Sequence, residues 1–206
     1  MANAFLQEQT DLGPFADCHE KFALAWKYAN EADKTKSKSR RLEFAHHVIM
    51  AQLYTLYAGD FDRSLEEAEA AIEMAPNEAG TRSMLANWLS FAGRRDQAIE
   101  WSSTAVRQEH NAANAKYLKP NLAWVLYFAG RYDEALGNIK GSETVAPDIA
   151  AAIYVRVGRV EDARIIIADW LKIAPYSVAT YSCWAIKEPM KSTLLDDLRK
   201  AGLPEK

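Results

Sequence analysis

The chain has 206 residues, a formal net charge of −3 and a pI near 5.9, so no clustered positive potential is available for a phosphate backbone, and nucleic acid is not an expected partner. With 49% hydrophobic and 26% charged residues, nine Gly and seven Pro, the composition fits a helical globular protein and argues against a loop-rich β protein. At this length roughly 70% of the unfolded surface is buried on folding, which is enough for a real core.

The first segment, residues 1–44, begins without a basic, apolar leader, and the longest apolar runs, such as Ala123 to Ala129, fall far short of a membrane span. No membrane partner is expected. Phe15, Cys18, Phe22, Trp26 and Ala29 recur at three- and four-residue steps, which predicts a helix over Pro14–Ala32 opened by its proline. The basic run Lys34–Arg41 reads as an exposed loop, followed by a second helix from Leu42 to Ala58. Cys18 and Cys183 are too few and too far apart for a disulfide framework, so a reducing, cytoplasmic setting is expected.

From Ala45 onward the sequence repeats itself. Gly59-Asp-Phe-Asp-Arg-Ser-Leu, Gly93-Arg-Arg-Asp-Gln-Ala-Ile, Gly130-Arg-Tyr-Asp-Glu-Ala-Leu and Gly158-Arg-Val-Glu-Asp-Ala-Arg are copies, and Pro76, His110, Pro147 and Pro175, each read as a helix stop, follow their glycine by 17 residues. The glycines are 34, 37 and 28 residues apart, a period that denotes stacked helical hairpins over 45–78, 79–115, 116–147 and 148–175. The extra residues around Ala112–Lys119 are expected in a loop before Pro120, which would open the next helix. The shortened stretch Asp148–Val157 leaves a first helix of under three turns, while the second helices should keep one fixed length.

Each glycine stands where a helix must stop in a left-handed conformation. Asp62, Asp96, Asp133 and Glu161 are expected in the first turn of the second helices, capping them by complementing exposed amides and the helix dipole. Ser64, Ala98, Ala135 and Ala163, with Ala71, Ala105 and Ser142 seven residues on, keep one face small so that paired helices approach closely. Trp170 breaks that pattern. In the C-terminal segment, 176–206, a final helix capped by Ser192 or Thr193 carries Leu194, Leu195 and Leu198 and ends at Gly202, and it is expected to seal the open end of the stack.

No catalytic or metal-binding constellation is legible. His19, His46, His47 and His110 contain no pair four residues apart, and no phosphate or dinucleotide loop occurs. The expectation is therefore a non-enzymatic protein with no cofactor and no metal.

Leu85-Ala86-x-x-Leu89 with Ala98 and Ala105, and Leu122-Ala123-x-x-Leu126 with Ala135 and Pro147, make the chain resemble the tetratricopeptide repeat (TPR). The resemblance weakens in the first repeat, where Ala51, Gln52 and Thr55 hold the signature positions, and returns through Ala150-Ala151-x-x-Tyr154, Ala163 and Pro175. Leu122 to Leu136, the clipped fourth repeat and the closing Leu198–Glu205 are similar to the TPR tails of bacterial class III adenylate or guanylate cyclases. The resemblance implies an all-α, TPR-like right-handed superhelix of antiparallel helix pairs with a C-terminal capping helix, acting in bacterial signalling as a protein-binding scaffold. The alternative it implies is the regulatory region of a cyclase or winged-helix regulator, acting in cis or by self-association.

In such stacks the first helices line a concave groove. The corresponding positions are Ile49, Leu53 and Tyr57 in the first repeat, and Ser83, Asn87, Ser90 and Phe91 in the second. Tyr117, Trp124, Tyr127 and Phe128 follow in the third, and Arg156 in the fourth. That aromatic lining predicts a peptide or helix with apolar anchors as the partner, although Trp124 and Tyr127 also fit simple packing between helices.

Overall fold

The turn glycines organise the chain as their cadence predicts. The computed structural model describes residues 18–34, 39–173, 176–182 and 185–206; Pro14, Phe15, Pro175 and Cys183 lie outside them, as do the side chains of Cys18, His19 and Phe22. The described residues form helices and turns, with no strand among them. Gly93, Gly130 and Gly158 have φ of +78°, +78° and +80°, which a β-carbon disfavours by about 1–2 kcal/mol. At each, the residue after glycine donates its N–H back to the carbonyl five positions earlier: Arg94 to Leu89 (3.0 Å), Arg131 to Leu126 (2.9 Å), Arg159 to Tyr154 (2.8 Å). With the shorter bonds from Gly93 to Ser90 and Gly130 to Tyr127 (3.0 and 2.9 Å), these are Schellman turns. The same arginines are also the N-cap residues of the following helices, so one three-residue turn both closes one helix and opens the next.

The described residues through Pro76, together with Ala185, form one compact unit, and Asn77–Ser182 with Ile186–Lys206 form a second. In the first unit, α1 (Cys18–Lys34) packs on α2 (Arg40–Leu53), which a π turn over Tyr54–Ala58 extends, and α2 pairs with α3 (Phe61–Met74). Ala25 and Ala29 of α1 meet Met50 and Leu53 in a core flanked by Trp26, Ile49 and Tyr54. The Trp26 and Tyr54 rings cross edge to face at 5.3 Å. Helix α2 begins at Arg40, inside the basic run expected to be loop, and Arg40 reaches the Met74 carbonyl at 3.2 Å. Ser64 of α3 hydrogen-bonds the Ala51 carbonyl (2.8 Å) and the Thr55 hydroxyl (2.5 Å), all three buried.

In the second unit, α4 (Ala79–Phe91) pairs with α5 (Arg95–Gln108), α6 (Ala112–Phe128) with α7 (Tyr132–Ile139), and α8 (Pro147–Arg156) with α9 (Val160–Leu171). Successive hairpins pack on one another through α5 and α6, α4 and α6, α7 and α8, and α6 and α8. Ala98, Ala105, Ala135 and Ala163 are buried on the second helices, as the small-residue pattern predicts, with Ser102, Ile139 and Ile167 buried three or four residues from them. Two short helices complete the unit, α10 (Val178–Ser182) and α11 (Met190–Lys200).

Four expectations are corrected. Pro120 does not open a helix: it lies inside α6, which starts eight residues earlier at Ala112. Helix α7 stops at Ile139, not beside Pro147: Gly137 weakens its interior, Lys140 turns extended, and Gly141 (φ +80°) completes a turn in which the Ser142 N–H donates to the Ile139 carbonyl at 2.9 Å. Pro147 is instead the first residue of α8, where its missing N–H costs nothing, and Ser142 has left the packing face. Asp62, Asp96, Asp133 and Glu161 sit in the first turns, as expected, but the N-cap positions belong to Asp60, Arg94, Arg131 and Arg159. Asp60 is the capping side chain of α3, accepting from the Arg63 N–H at 3.2 Å. The last helix begins at Met190 after Pro189, ahead of Ser192 and Thr193, and Ser192 Oγ donates to the Pro189 carbonyl at 2.9 Å. Among the described residues no helix is long and apolar enough to cross a membrane.

Candidate functional site

On α6, Trp124 and Phe128 are one helical turn apart and stack at 5.5 Å. Phe91, the last residue of α4, crosses both edge to face, 6.0 Å from Trp124 and 5.3 Å from Phe128. Tyr127 meets Phe128 at 5.3 Å and Tyr132 at 5.6 Å. Edge-to-face and offset pairs at these separations add roughly 0.5–1.5 kcal/mol each beyond the area they bury. The last residue of α8, Arg156, lies over the Tyr132 ring at 5.7 Å. The first helices of the second unit thus present an aromatic wall with one cation at its end.

The C-terminal segment lies along this wall. Its Lys187 N–H donates to the Phe91 carbonyl at 3.1 Å, and Lys187 and Met190 border Gly93 at the end of α4. Helix α11 packs on α8, with Leu194 and Leu198 fully buried. Between those leucines Asp197, 0% exposed, accepts the Tyr127 hydroxyl and Arg156 Nε, each at 2.5 Å, both on Oδ2. Its other oxygen, Oδ1, is enclosed and has no hydrogen-bond partner among the described residues. Burial, reinforced by the Asp197 charge, pushes the Tyr127 phenol far above its ordinary range, so it stays a donor. Burial works against the Arg156 charge, but the hydrogen bond and charge of Asp197 outweigh it and hold the guanidinium protonated. An enclosed carboxyl with two donors tolerates the loss of either one poorly, because the remaining group is left buried and undercompensated.

The segment also ties itself together. Val178 and Ala179, opening α10, donate their N–H groups to the Pro204 and Glu205 carbonyls at 2.8 and 3.3 Å. Tyr181 donates to Asp148 of α8 at 2.7 Å. Helix α11 closes with a Schellman turn, Leu203 N–H to the Leu198 carbonyl at 3.0 Å, which brings Leu203 into the core. Trp170, too large for the small-residue seam of α9, stacks on Tyr176 at 4.4 Å. Helix α11 thus sits on α8 and reaches α6 through Asp197.

The sequence-predicted groove residues divide accordingly. Leu53, with Ile49 against it, belongs to the core shared with α1, and the Tyr57 side chain lies outside the described residues. Ser83 and Ser90 are fully buried, Ser90 donating to the Asn87 carbonyl at 2.6 Å. The Ser83 hydroxyl and Asn87 Oδ1 are enclosed without a hydrogen-bond partner among the described residues. Phe91, Trp124, Tyr127 and Phe128 come together as one buried cluster, and Arg156 joins Tyr127 through Asp197. Tyr117 stands apart, 54% exposed, with Lys116 Nζ 4.7 Å from its ring centre. Sequence reasoning missed Asp197. The signal was there: an acid in helical register with Leu194 and Leu198, on the stripe that must be buried.

Of the histidines, His47 bonds Glu67 across the α2–α3 pair at 2.6 Å. Among the described residues no group of three or more His, Cys, Asp or Glu side chains is placed to hold a metal ion. No family model matches the chain, and no curated protein matches it.

Proposed function

We propose that the chain is a non-enzymatic protein-interaction module, a TPR-like right-handed superhelix whose first-helix face binds an amphipathic helix or peptide. The observation that carries this reading is the seating of α11 on that face. Helix α11 packs on α8 with Leu194 and Leu198 buried, and its Asp197 takes the Tyr127 hydroxyl of the aromatic cluster together with Arg156. Aromatic anchors of this kind supply large, rigid contact area and dominate interface energetics. The glycine cadence and the successive packing of hairpins support the repeat assignment. Cytoplasmic bacterial signalling is the setting carried over from the resemblance to cyclase tails. On that second reading the module regulates a neighbouring domain in cis, and the fold-back of its own C-terminal segment favours it.

The test is affinity capture from source cells by the intact chain and by a Phe91→Ala, Trp124→Ala variant, with thermal unfolding followed in parallel. Loss of a specific captured protein by a variant that still unfolds cooperatively supports the assignment of the face. Undiminished capture by that variant rejects it.

A further inference from the structure

Resting on the reading of the first-helix face as a helix-binding surface, we propose that its ligand class is an acidic amphipathic helix carrying Leu-x-x-Asp-Leu. In the isolated chain α11 occupies the site as a built-in stand-in, and a partner protein's helix of the same pattern displaces it.

Three observations lead there. Leu194, Asp197 and Leu198 are the α11 residues that are fully buried, and together they define what the site takes: two leucines four residues apart with a carboxylate between them. The receiving groups come from two different hairpins, Tyr127 from α6 and Arg156 from α8, and converge on one carboxylate oxygen. A wall that is otherwise aromatic has thus placed a phenol and a guanidinium on one oxygen, where a carboxylate both accepts the two hydrogen bonds and balances the guanidinium charge. Buried ion pairs contribute little net stability relative to well-packed apolar groups, whereas an unmatched buried charge is costly. The pair therefore discriminates among helices more than it tightens any one of them. A helix with Asp at this position replaces α11 nearly isoenergetically, and one with an apolar residue there leaves the buried Tyr127 hydroxyl without its acceptor and the partly exposed Arg156 without its counter-charge.

The tether is compatible with release. Lys187, Glu188 and Pro189, which lead into α11, are exposed. Held on the same chain, α11 acts at an effective concentration on the order of millimolar, so a partner helix must overcome that advantage or arrive when the segment is drawn away.

The experiment uses the full chain with a protease site inserted between Cys183 and Trp184, cleaved after folding. The probe is a fluorescein-labelled peptide of residues 186–206, followed by anisotropy. The expected result is exchange of the labelled peptide into the nicked chain, with binding at least ten-fold weaker for the Asp197→Asn peptide. Arg156→Ala in the receiving chain should abolish the difference between the two peptides. Equal affinity for both peptides in the unsubstituted chain overturns the proposal. So does loss of helical circular dichroism in step with departure of the natural fragment, which would make the segment an inseparable part of the core.

An uncleaved Leu194→Ala, Leu198→Ala chain provides an independent arm. It should bind the unsubstituted peptide at least ten-fold more tightly than the wild-type chain does, and equal binding overturns the proposal. A wild-type dimer formed by exchange of the segment between chains, seen by sedimentation, would reassign the occupant to a second copy and overturn it as well. Capture that depends on Phe91 and Trp124 while the peptide series shows no Asp discrimination leaves the interaction module standing and rejects the acidic-helix ligand. Capture independent of Phe91 and Trp124 rejects the face itself.

Discussion

Tyr127 shows how much one side chain is asked to do. It belongs to an aromatic cluster, and its hydroxyl satisfies a buried carboxyl seventy positions away in sequence. Tyr127→Phe keeps the ring and removes the donor, leaving Asp197 with Arg156 alone. The expected cost is about 1–3 kcal/mol, read as a lower urea midpoint with unchanged slope. Ser64 and Thr55 allow a cleaner version of the same measurement. Ser64→Ala removes one buried hydrogen bond from the Thr55 hydroxyl and one from the Ala51 carbonyl, which keeps the Tyr54 N–H, at about 1–2 kcal/mol. Adding Thr55→Val should recover part of that loss, and a double-mutant cycle with no coupling would deny the buried chain its role. Neither network was legible from spacing. Helical periodicity reports which face is buried, but it is silent on which polar group on that face meets which partner.

At the scale of the element, the glycine turns were readable because their chemistry is local. A left-handed stop with an arginine after it and an acid two residues further on is specified within a few positions, and α4, α5, α8 and α9 follow. Helices α6 and α7 were harder, since both competing signals were prolines. Pro120 lies inside a helix continued on both sides of it, and Pro147 opens a helix where it was expected to close one. Gly137 and Gly130 make the backbone argument testable with one substitution of opposite sign. Gly130→Ala places a β-carbon at φ +78° and should destabilise by about 1 kcal/mol. Gly137→Ala, exposed within α7 with open space around its β-carbon position, should stabilise by about 0.5–1 kcal/mol. Thermal unfolding of the two variants checks both signs.

At the scale of the whole molecule, the hairpin order was legible while the path of the C-terminal segment was not, because its anchors pair across long separations. One of those anchors makes stability depend on pH. Burial raises the Asp148 carboxyl above its usual 3.8, only partly offset by the Tyr181 hydroxyl and the Ile149 N–H. In the window just above that value the folded chain holds a proton that the unfolded chain has released. Asp148 therefore lowers stability as pH rises through the window, and has no further effect above its folded-state value. Asp148→Asn should gain stability relative to wild type as pH rises above 3.8, with the two converging at lower pH. Urea midpoints measured across that range would show it, and a constant difference would reject the assignment.

The turns that both finish one helix and begin its mate leave no spare residue at the corner of a hairpin. Length variation falls in the helices, with 17 residues in α6 against 13 in α4 and 10 in α8, and in the junctions between hairpins, such as Glu109–Asn111 and Lys140–Ala146, while the three-residue corners stay constant. Grafted loops, epitope tags or tolerated indels therefore belong at those junctions, where added chain leaves the register of every hairpin untouched, and not at the Gly-Arg corners.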